Sequence, residues 1–187
     1  LDSILKTRDL EIVHGSTVAT NAVLENKLSK TALVTNRGFK DLLTIGRQTR
    51  PALYQLEYEP IEPPVPQKLC FETGGRLGAD GSEIEGLSQA EVEDLVEEVM
   101  SQEPESVAIN LLFSFINPEF ETILERALLK KIPSVRVSRS SAVLPVYKEF
   151  ERGIATWLNA ALEPLISRYL VNLQDSLGKP KLQIMQS

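Results

Sequence analysis

Apolar positions along this chain follow two periods, one typical of strands and one typical of helices. Short extended runs alternate with amphipathic stretches. The extended runs at residues 11–13, 31–35, 68–76, 135–137 and 182–184 predict β-strands, and several of the stretches between them predict helices. Alternation of this kind is typical of α/β proteins. The pattern therefore predicts a mixed, mostly parallel sheet flanked by helices.

The longest apolar run covers residues 107–115 (VAINLLFSF). A run without polar alternation is expected of a strand that is covered on both faces. We therefore expect these residues to form a central strand, and neither a helix nor an exposed edge strand.

Helix signals are strongest in the second half of the chain. Ser88 and Glu91 have the spacing of a capping box, and Asn117-Pro118 has the form of a cap followed by a proline in the first turn. The apolar faces behind these two signals are Val92, Leu95, Val96, Val99 and Met100, and Phe120, Ile123, Leu124, Ala127 and Leu128. A third helical region covers residues 146–177, and Pro164 is expected to kink or split it.

The first half is less regular. The strand at residues 11–13 ends near Gly15, whose conformational freedom suits a turn or a close backbone approach, and a helix follows to about residue 28. Residues 38–45 begin a second helical stretch. Five prolines in residues 51–66 exclude a long helix there, and residues 79–82 (ADGS) predict a turn.

Composition narrows the classes of function. The 187 residues can form one core or two lobes, for which we consider residues 1–66 and 67–187. The net charge of −6 argues against a nucleic-acid partner, and no apolar run reaches the ~20 residues of a membrane span. One cysteine and one histidine argue against a His/Cys metal site. With no recognisable secretory leader, these features indicate a cytoplasmic protein.

A cluster of small polar side chains follows the first strand and consists of Ser16, Thr17, Thr20 and Asn21. One hydroxyl group can cap the helix, and the exposed N–H groups of its first turn favour an anion. Thr17 and Asn21 are four residues apart, so they share a helix face. A cap would explain one of these residues, whereas the wall of a ligand cleft would explain all four.

A second cluster contains Arg47, Gln48 and Arg50, between Gly46 and Pro51. Guanidinium groups can grip a carboxylate or a phosphate with two hydrogen bonds. Two solvated arginines at a helix end are the alternative. The bracketing glycine and proline favour a defined loop.

Other notable side chains have structural explanations. Residues 148–152 (KEFER) have the spacing of surface ion pairs at the start of the long helix. His14 is more simply a hydrogen-bonded structural residue than a base. Trp157 is expected in the core, and Cys70 is expected to act as a small apolar residue.

Four segments in order carry a family resemblance. They are HGSTVATNAVLENK (residues 14–27), KTALVTNRGFKDLLTIGRQTRPALYQL (30–56), INLLFSFINPEFE (109–121) and VLPVYKEFERGIATWLNAAL (143–162). Together they closely resemble the N-terminal region of the hydantoinase A and 5-oxoprolinase family. One segment alone would not be specific, but four across most of the chain are.

The resemblance implies a fold and an activity. The chain would be an excised part of a larger polypeptide, covering much of one lobe of an actin-like ATPase fold without the phosphate loop that precedes this region in the family. The complete enzyme would use ATP and Mg²⁺ to hydrolyse a cyclic amide, such as a hydantoin or 5-oxoproline, by phosphorylating the amide oxygen. A ketone carboxylase subunit of the same family and a non-catalytic interaction domain are the alternatives.

The resemblance also implies partners. These are the cyclic amide itself, a hydantoinase B-type subunit or fused domain, and further copies in an oligomer, with no nucleic acid and no membrane. The isolated chain is expected to bind no cofactor tightly and to have no activity of its own.

The resemblance turns the two polar clusters into candidate contacts for substrate or phosphate, namely Ser16, Thr17, Thr20, Asn21, Arg47 and Arg50. Ligands of α/β sheets bind at the carboxyl ends of strands, and both clusters follow such ends. We therefore expect Thr17, Asn21 and Arg47 to face one cleft. The family pattern also has a matching Tyr/Phe-Glu-Arg at residues 150–152, so the resemblance implies a structural or inter-lobe pair as the alternative to a surface ion pair there. The sequence identifies no catalytic residue and no metal ligand.

Overall fold

The computed structural model describes residues 11–49, 63–177 and 181–186. The described strands are β1 (Glu11–Ser16), β2 (Thr31–Asn36), β3 (Cys70–Thr73), β4 (Arg76–Leu77), β5 (Glu83–Glu85), β6 (Ser106–Asn110), β7 (Arg136–Arg139) and β8 (Lys181–Gln186). The described α-helices are α1 (Val18–Leu24), α2 (Leu42–Ile45), α3 (Gln89–Ser101), α4 (Glu119–Lys131), α5 (Ser140–Val143) and α6 (Glu149–Ser176).

The chain divides into two compact units. Unit 1 combines Leu1–Ser29 with Leu162–Ser187, and unit 2 consists of Lys30–Ala161. Helix α6 contributes its first thirteen residues to unit 2 and the remainder to unit 1. These units do not coincide with the lobes 1–66 and 67–187 considered from the sequence.

Unit 2 is built on a four-stranded parallel sheet in the order β3-β2-β6-β7. Strand β6 lies inside the sheet, paired with β2 from Thr31↔Ser106 and with β7 from Ser106↔Arg136, and all five of its residues are buried. The predicted central strand is therefore confirmed in its position.

The predicted length of that strand is wrong. Strand β6 ends at Asn110, and residues 111–115 form turns in which Phe113 has a φ of +56°. The Leu111 N–H and C=O groups bond to the side chains of Glu121 and Arg152. Apolar character continues past Asn110 because these turn residues are largely buried, although they are not extended.

Helices cover both faces of this sheet. Val92, Leu95, Val96 and Val99 of α3 and Phe120, Leu124 and Leu128 of α4 share a core with Val107 and Ile109. The alternate side chains of β6 point the other way, where Asn110 bonds to Arg152 of α6. The Asn159 side chain of α6 likewise bonds to Ser138 of β7 at 2.9 Å. The predicted α/β fold, a mostly parallel sheet flanked by helices, is confirmed, although the four-stranded sheet is entirely parallel and not mixed.

The predicted start of α3 is confirmed, because Ser88 and Glu91 form a reciprocal capping box. At α4 the N-cap residue is Pro118 and not Asn117, so the predicted position of the cap is wrong by one residue, although the Asn117 side chain accepts a hydrogen bond from the Glu119 N–H at 3.0 Å. Met100 departs from the predicted apolar face, since it is 40% exposed.

Helix α6 begins three residues later than the predicted region 146–177 and ends one residue earlier, and it is not split. It contains Pro164, yet runs unbroken over 28 residues, so the predicted split is wrong. A proline removes one N–H donor and crowds the preceding turn, and the hydrogen bonds on both sides can still hold a long helix together.

The smaller elements follow the prediction in part. The turn at residues 79–82 joins the antiparallel pair β4 and β5, with Gly81 at a φ of +80°. Helices α1 and α2 are shorter than predicted, with seven and four residues. The strand expected at residues 68–76 is divided into β3 and β4, and the proline-rich residues 51–62 lie outside the described part of the chain.

Unit 1 contains a two-stranded parallel sheet. Strands β1 and β8 pair in register from Glu11↔Lys181 to Ser16↔Gln186, which confirms the predicted strands at residues 11–13 and 182–184. Helix α1 follows β1 directly, so the polar cluster of residues 16–21 begins at the carboxyl end of a parallel strand.

Candidate functional site

The polar cluster after β1 lies in unit 1. Thr17 occupies the N-cap position of α1 without a side-chain cap bond, whereas Ser16 Oγ accepts a hydrogen bond from the Val18 N–H at 3.3 Å. Asn21 Nδ2 donates to Thr17 Oγ1 at 3.5 Å, which confirms that these residues share a helix face. Thr17, Thr20 and Asn21 are exposed and can meet a ligand.

The geometry of this cluster does not require a glycine. Gly15 lies inside β1, and a Cβ added there would meet no atom within 4 Å. The predicted turn or close backbone approach at Gly15 is therefore wrong. Since α1 has only seven residues, any role of this cluster falls on its side chains and not on a helix dipole.

His14 and Cys70 have the structural surroundings expected of them. His14 Nε2 hydrogen-bonds to the Tyr169 hydroxyl within unit 1. The Cys70 thiol lies 3.7 Å from the Pro66 carbonyl oxygen, and burial raises its pKa to about 11. A thiol with such a pKa stays protonated at neutral pH and is a poor nucleophile.

Arg47 lies in the loop that follows α2, in unit 2. Its side chain is 63% exposed, and its Nη2 is 2.9 Å from Glu151 Oε1. The guanidinium carbon lies 5.8 Å from the centre of the Phe150 ring. Two contacts from the first turn of α6 therefore hold the exposed Arg47 side chain. This agrees with the prediction that Arg47 lies in a defined loop. Arg50 lies outside the described residues.

Arg152 is buried and is not part of a surface ion-pair cluster. It is fully excluded from solvent and donates to Asn110 Oδ1 at 3.0 Å, to the Val146 carbonyl at 2.8 Å and to the Leu111 carbonyl at 2.6 Å. Burial lowers the pKa of its guanidinium group. The predicted surface role is wrong for this residue, because strand and loop carbonyl groups take the place of water around it.

Glu121 is buried beside the same turn. It accepts hydrogen bonds from the Leu111 N–H at 3.0 Å, the Ser140 hydroxyl at 2.6 Å and the Ser141 N–H at 2.9 Å. The Leu111 backbone thus donates to a buried carboxylate and accepts from the buried Arg152. This arrangement, which we call the Leu111 clamp, fixes the chain where it leaves the carboxyl end of β6.

Asn36 secures the end of the neighbouring strand. Its Oδ1 accepts from the Leu112 N–H at 2.7 Å, and its Nδ2 donates to the carbonyl groups of Gly74 and Gly75 at 3.3 and 3.2 Å. The carboxyl ends of β2 and β6 are therefore joined by side-chain hydrogen bonds, at the sheet edge where ligands of α/β proteins bind.

Arg37 follows Asn36 and ties the adjacent hairpin to α3. Its guanidinium group bonds to Glu85 and Glu91, and Glu72 Oε1 accepts from the Gly38 N–H at 2.7 Å. The Arg37 charge is compensated by two carboxylates of unit 2 and the Glu72 carboxylate accepts from backbone N–H groups, so this cluster is structural.

Sequence reasoning missed the buried polar residues Asn110, Glu121 and Arg152. A signal was available for two of them. Glu121 is three and seven residues before the buried Leu124 and Leu128, and Arg152 is four residues before the buried Thr156. Each charge thus lies on a buried helix face, which predicts burial with partners.

Two kinds of site are absent from the described part of the chain. Within the described ranges, no group of three or more His, Cys, Asp or Glu residues could hold a metal ion. No described helix is long and apolar enough to cross a membrane.

The comparison with known families decides the identity of this fold. The profile described as the hydantoinase/oxoprolinase N-terminal region matches residues 5–132. The chain belongs to this family. The match includes the polar cluster after β1, the Arg47 loop and the Leu111 clamp up to Glu121, and the family's relatives extend the similarity through most of α6.

Curated relatives agree with the assignment to the hydantoinase/oxoprolinase family. The chain is 37% identical over 94% of its length to an uncharacterized protein of Methanocaldococcus jannaschii, and 32% identical over 84% to the caprolactamase subunit alpha of Pseudomonas jessenii. It is 31% identical over 92% to 5-oxoprolinase 1 of Arabidopsis thaliana. The chain spans only 27%, 23% and 15% of the lengths of these relatives.

Solved structures share the fold of this family member. The ATP-dependent caprolactamase from Pseudomonas jessenii superposes on 93% of the chain with a TM-score of 0.81 and 30% identity, and the chain covers 26% of it. The nucleotide-free structure of an acetone carboxylase superposes on 92% with a TM-score of 0.80 and 23% identity, with 27% of that chain covered.

Proposed function

We propose that this chain is part of an ATP-dependent enzyme that hydrolyses a cyclic amide. The observation that carries the proposal is the similarity to an ATP-dependent caprolactamase, at 30% identity and a TM-score of 0.81 over 93% of the chain. The similarity to 5-oxoprolinase 1 points the same way. Caprolactam and 5-oxoproline are both lactams, so the shared chemistry is the opening of a ring C–N bond.

Amide resonance explains why such a reaction needs activation. A lactam carbonyl is a poor electrophile, and its nitrogen is a poor leaving group. When bound, ATP would supply a phosphoryl group to the amide oxygen, which removes the amide resonance, so that one water could add to the carbon, the ring nitrogen could leave as an amine, and a second water could release phosphate from the carboxyl carbon. Groups that hold the phosphate and the lactam in one orientation then contribute much of the rate.

The proposed binding residues of this chain are the exposed members of its two polar clusters. Arg47 supplies a fixed cation for a phosphate or a carboxylate, and Thr17 and Asn21 supply neutral hydrogen-bonding groups from a single helix face. Ser16, Thr20 and Arg50 complete the proposed set. A cleft shared by Thr17, Asn21 and Arg47 stays a prediction.

Mg²⁺ belongs to the proposal for the complete enzyme only. The described residues of this chain offer no cluster of metal ligands, so we assign no step to a metal held by them. The phosphate groups of ATP fit the chemistry of Arg47, which is cationic, exposed and oriented.

The proposal includes partners and a location. The name of the Pseudomonas jessenii relative, caprolactamase subunit alpha, supports a second subunit, and we propose a B-type subunit or a fused domain for this protein, within an oligomer. A cytoplasmic location is part of the proposal because the reaction consumes ATP.

The experiment uses the complete polypeptide, purified with its partner subunit. Opening of 5-oxoproline, caprolactam and hydantoin is measured by chromatography with and without ATP, together with release of phosphate. ATP-dependent opening of one of the three supports the proposal. ATP-dependent incorporation of bicarbonate into acetone or acetophenone would replace it with a carboxylase, and the absence of any ATP turnover would favour an interaction domain.

A further inference from the structure

Four consecutive residues near the start of α6 contact two different parts of unit 2. These are residues 150–153, which we call the FERG turn. Phe150 and Glu151 contact Arg47, whereas Arg152 and Gly153 contact the end of β6. Two of the four residues therefore anchor the turn and two face the Arg47 loop.

Arg152 and Gly153, which anchor the FERG turn to the end of β6, are held rigidly. Arg152 is fully buried with three hydrogen-bond acceptors around it. A Cβ added at Gly153 would lie 2.7 Å from Asn110 Nδ2 and 3.4 Å from Leu43 Cδ2. Only a glycine allows α6 to approach both β6 and α2 this closely. The turn is thus fixed against the same strand end that the Leu111 clamp secures.

The Arg47 loop has an equally restricted backbone. Gly46 and Gln48, on either side of Arg47, have φ values of +55° and +51°. A glutamine in this region is uncommon and costs conformational energy. Such strain persists where surrounding contacts hold it, and here Phe150 lies 3.7 Å from the position of a Cβ at Gly46.

Stability alone does not explain the Arg47–Glu151 contact. The two side chains are 63% and 32% exposed, and ion pairs in contact with solvent contribute little to the free energy of unfolding. The backbone N–H of Glu151 and the hydrogen bond from Arg47 hold the pKa of Glu151 below its ordinary value, so the carboxylate is charged. The described contact uses one terminal nitrogen of a group with five N–H donors, which leaves donors for a second anion.

We propose that Glu151 and Phe150 are positioning residues that hold Arg47 in the orientation needed to bind an anionic oxygen of the reacting complex. This inference rests on the proposed function. Glu151 fixes one edge of the guanidinium group, and the Phe150 ring limits its rotation. The anion is a phosphate oxygen of the nucleotide or the carboxylate of a substrate such as 5-oxoproline.

The experiment measures kcat and KM in the complete enzyme with its partner subunit, for Arg47→Ala, Glu151→Gln, Glu151→Asp and the double variant Arg47→Ala/Glu151→Gln. Glu125→Gln is the matched control, because Glu125 forms a comparable ion pair with Arg139 at 2.8 Å, with both side chains about one quarter exposed. Phe150→Leu is the second test of positioning. Melting temperatures are measured for every variant.

If Glu151 and Phe150 position Arg47, their substitution should lower kcat/KM only when Arg47 is present. Glu151→Gln should lower kcat/KM about tenfold and Glu151→Asp should recover at least half of the wild-type value, because misplaced contact groups cost up to ~100-fold. The double variant should be no slower than Arg47→Ala, since the two residues act as one unit. Phe150→Leu should also lower kcat/KM, and Glu125→Gln should leave it unchanged.

Three results would overturn the inference. They are equal effects of Glu151→Gln and Glu125→Gln, multiplicative losses in the double variant, and a lower KM for ATP in Glu151→Gln, which would mean that Glu151 only shields the charge of Arg47. If Glu151→Gln does not fold, Phe150→Leu decides by the same double-variant comparison with Arg47→Ala. Failure of the proposed function is distinct, because the wild-type enzyme would then show no ATP-dependent ring opening.

The same variants identify the source of the anion. Loss of Arg47 should raise the KM for ATP with every lactam if the guanidinium group binds phosphate. It should impair 5-oxoproline and leave caprolactam unaffected if the group binds a substrate carboxylate, because caprolactam has no carboxylate.

Discussion

Arg152 and Glu121 are opposite charges that both lie fully buried and meet through the backbone of one residue, Leu111. Burying an isolated charge is costly, and here each charge has three hydrogen-bond partners instead of one counter-ion. Most of those partners are backbone groups, so the charges specify the path of the chain after β6. The hydrogen bonds that offset the cost of burying these charges thereby fix the geometry at the end of β6.

Replacing Arg152 by methionine should destabilise the chain by about 2–5 kcal/mol, because the Leu111 and Val146 carbonyl groups and the Asn110 side chain lose a buried donor. Urea unfolding followed by circular dichroism measures the free energy of unfolding. Arg126→Met on the exposed face of α4 is the control and should change it by less than ~0.5 kcal/mol. Equal values for the two variants would show that the clamp is not needed.

Thr17 and Asn21 should affect activity more than stability. Both are exposed, and their mutual contact is long at 3.5 Å. Thr17→Ala and Asn21→Ala in the complete enzyme should therefore lower kcat/KM about 2–10-fold, the value of one neutral hydrogen bond, with little change in melting temperature. Ser101→Ala is the control, because Ser101 is an exposed hydroxyl that donates to the Glu98 carbonyl of its own helix and accepts from the adjacent Gln102 side chain. Lower melting temperatures with unchanged kcat/KM would identify these residues as helix scaffold.

At the scale of elements, the features that could be predicted are those set by residues close together in the sequence. The capping box of α3, the apolar face of α4 and the central position of β6 all follow from local spacing and periodicity. The end of β6 at Asn110 and the burial of Arg152 depend on side chains 10 to 42 residues away, through Glu121 and the Arg152–Asn110 bond. Local spacing can place Glu121 and Arg152 on buried helix faces, but it does not identify their distant partners, so the strand is predicted too long and the arginine too exposed.

Gly153→Ala tests the close approach of α6 to β6, because helix propensity and this contact predict opposite changes in stability. Alanine favours a helix by about 1 kcal/mol over glycine. Its Cβ would lie 2.7 Å from Asn110 Nδ2, which donates to the Glu149 carbonyl, so we expect a net destabilisation of about 1–3 kcal/mol. The control is Gly15→Ala, where the added Cβ meets no atom within 4 Å. A stabilised Gly153→Ala chain in urea unfolding would show that the contact yields easily.

The start of α3 should make stability sensitive to acid. The hydrogen bonds from Ser88 come first, and Arg37 second, in holding the pKa of Glu91 below its ordinary value of 4.5. A carboxyl group with a lowered pKa in the folded state adds stability above its unfolded pKa and loses it as the pH falls through the folded value. The difference in unfolding free energy between wild type and Glu91→Gln should therefore be constant above pH 5 and shrink below about pH 4.5. A difference that does not change with pH would contradict this.

For the whole molecule, the candidate site could be predicted only in parts. The Arg47 loop and the polar cluster after β1 are visible as local sequence features, and the structure gives Arg47 a defined geometry from α6, more than one hundred residues later. The role of the FERG turn requires the tertiary contact, because its spacing alone is that of an ordinary charged helix surface. This chain spans 23% of the length of the caprolactamase subunit alpha of Pseudomonas jessenii.

The isolated 187-residue chain should therefore show no ATP-dependent ring opening. It covers 26% of the caprolactamase structure that it resembles. Stabilising a phosphoryl transfer requires several charged groups at once, and one exposed arginine provides a small part of that. The measurement is phosphate release and opening of 5-oxoproline or hydantoin by the purified chain, with the complete enzyme as the positive control. Turnover that scales with the concentration of the chain and disappears in Arg47→Ala would show that these units alone contain a working active site.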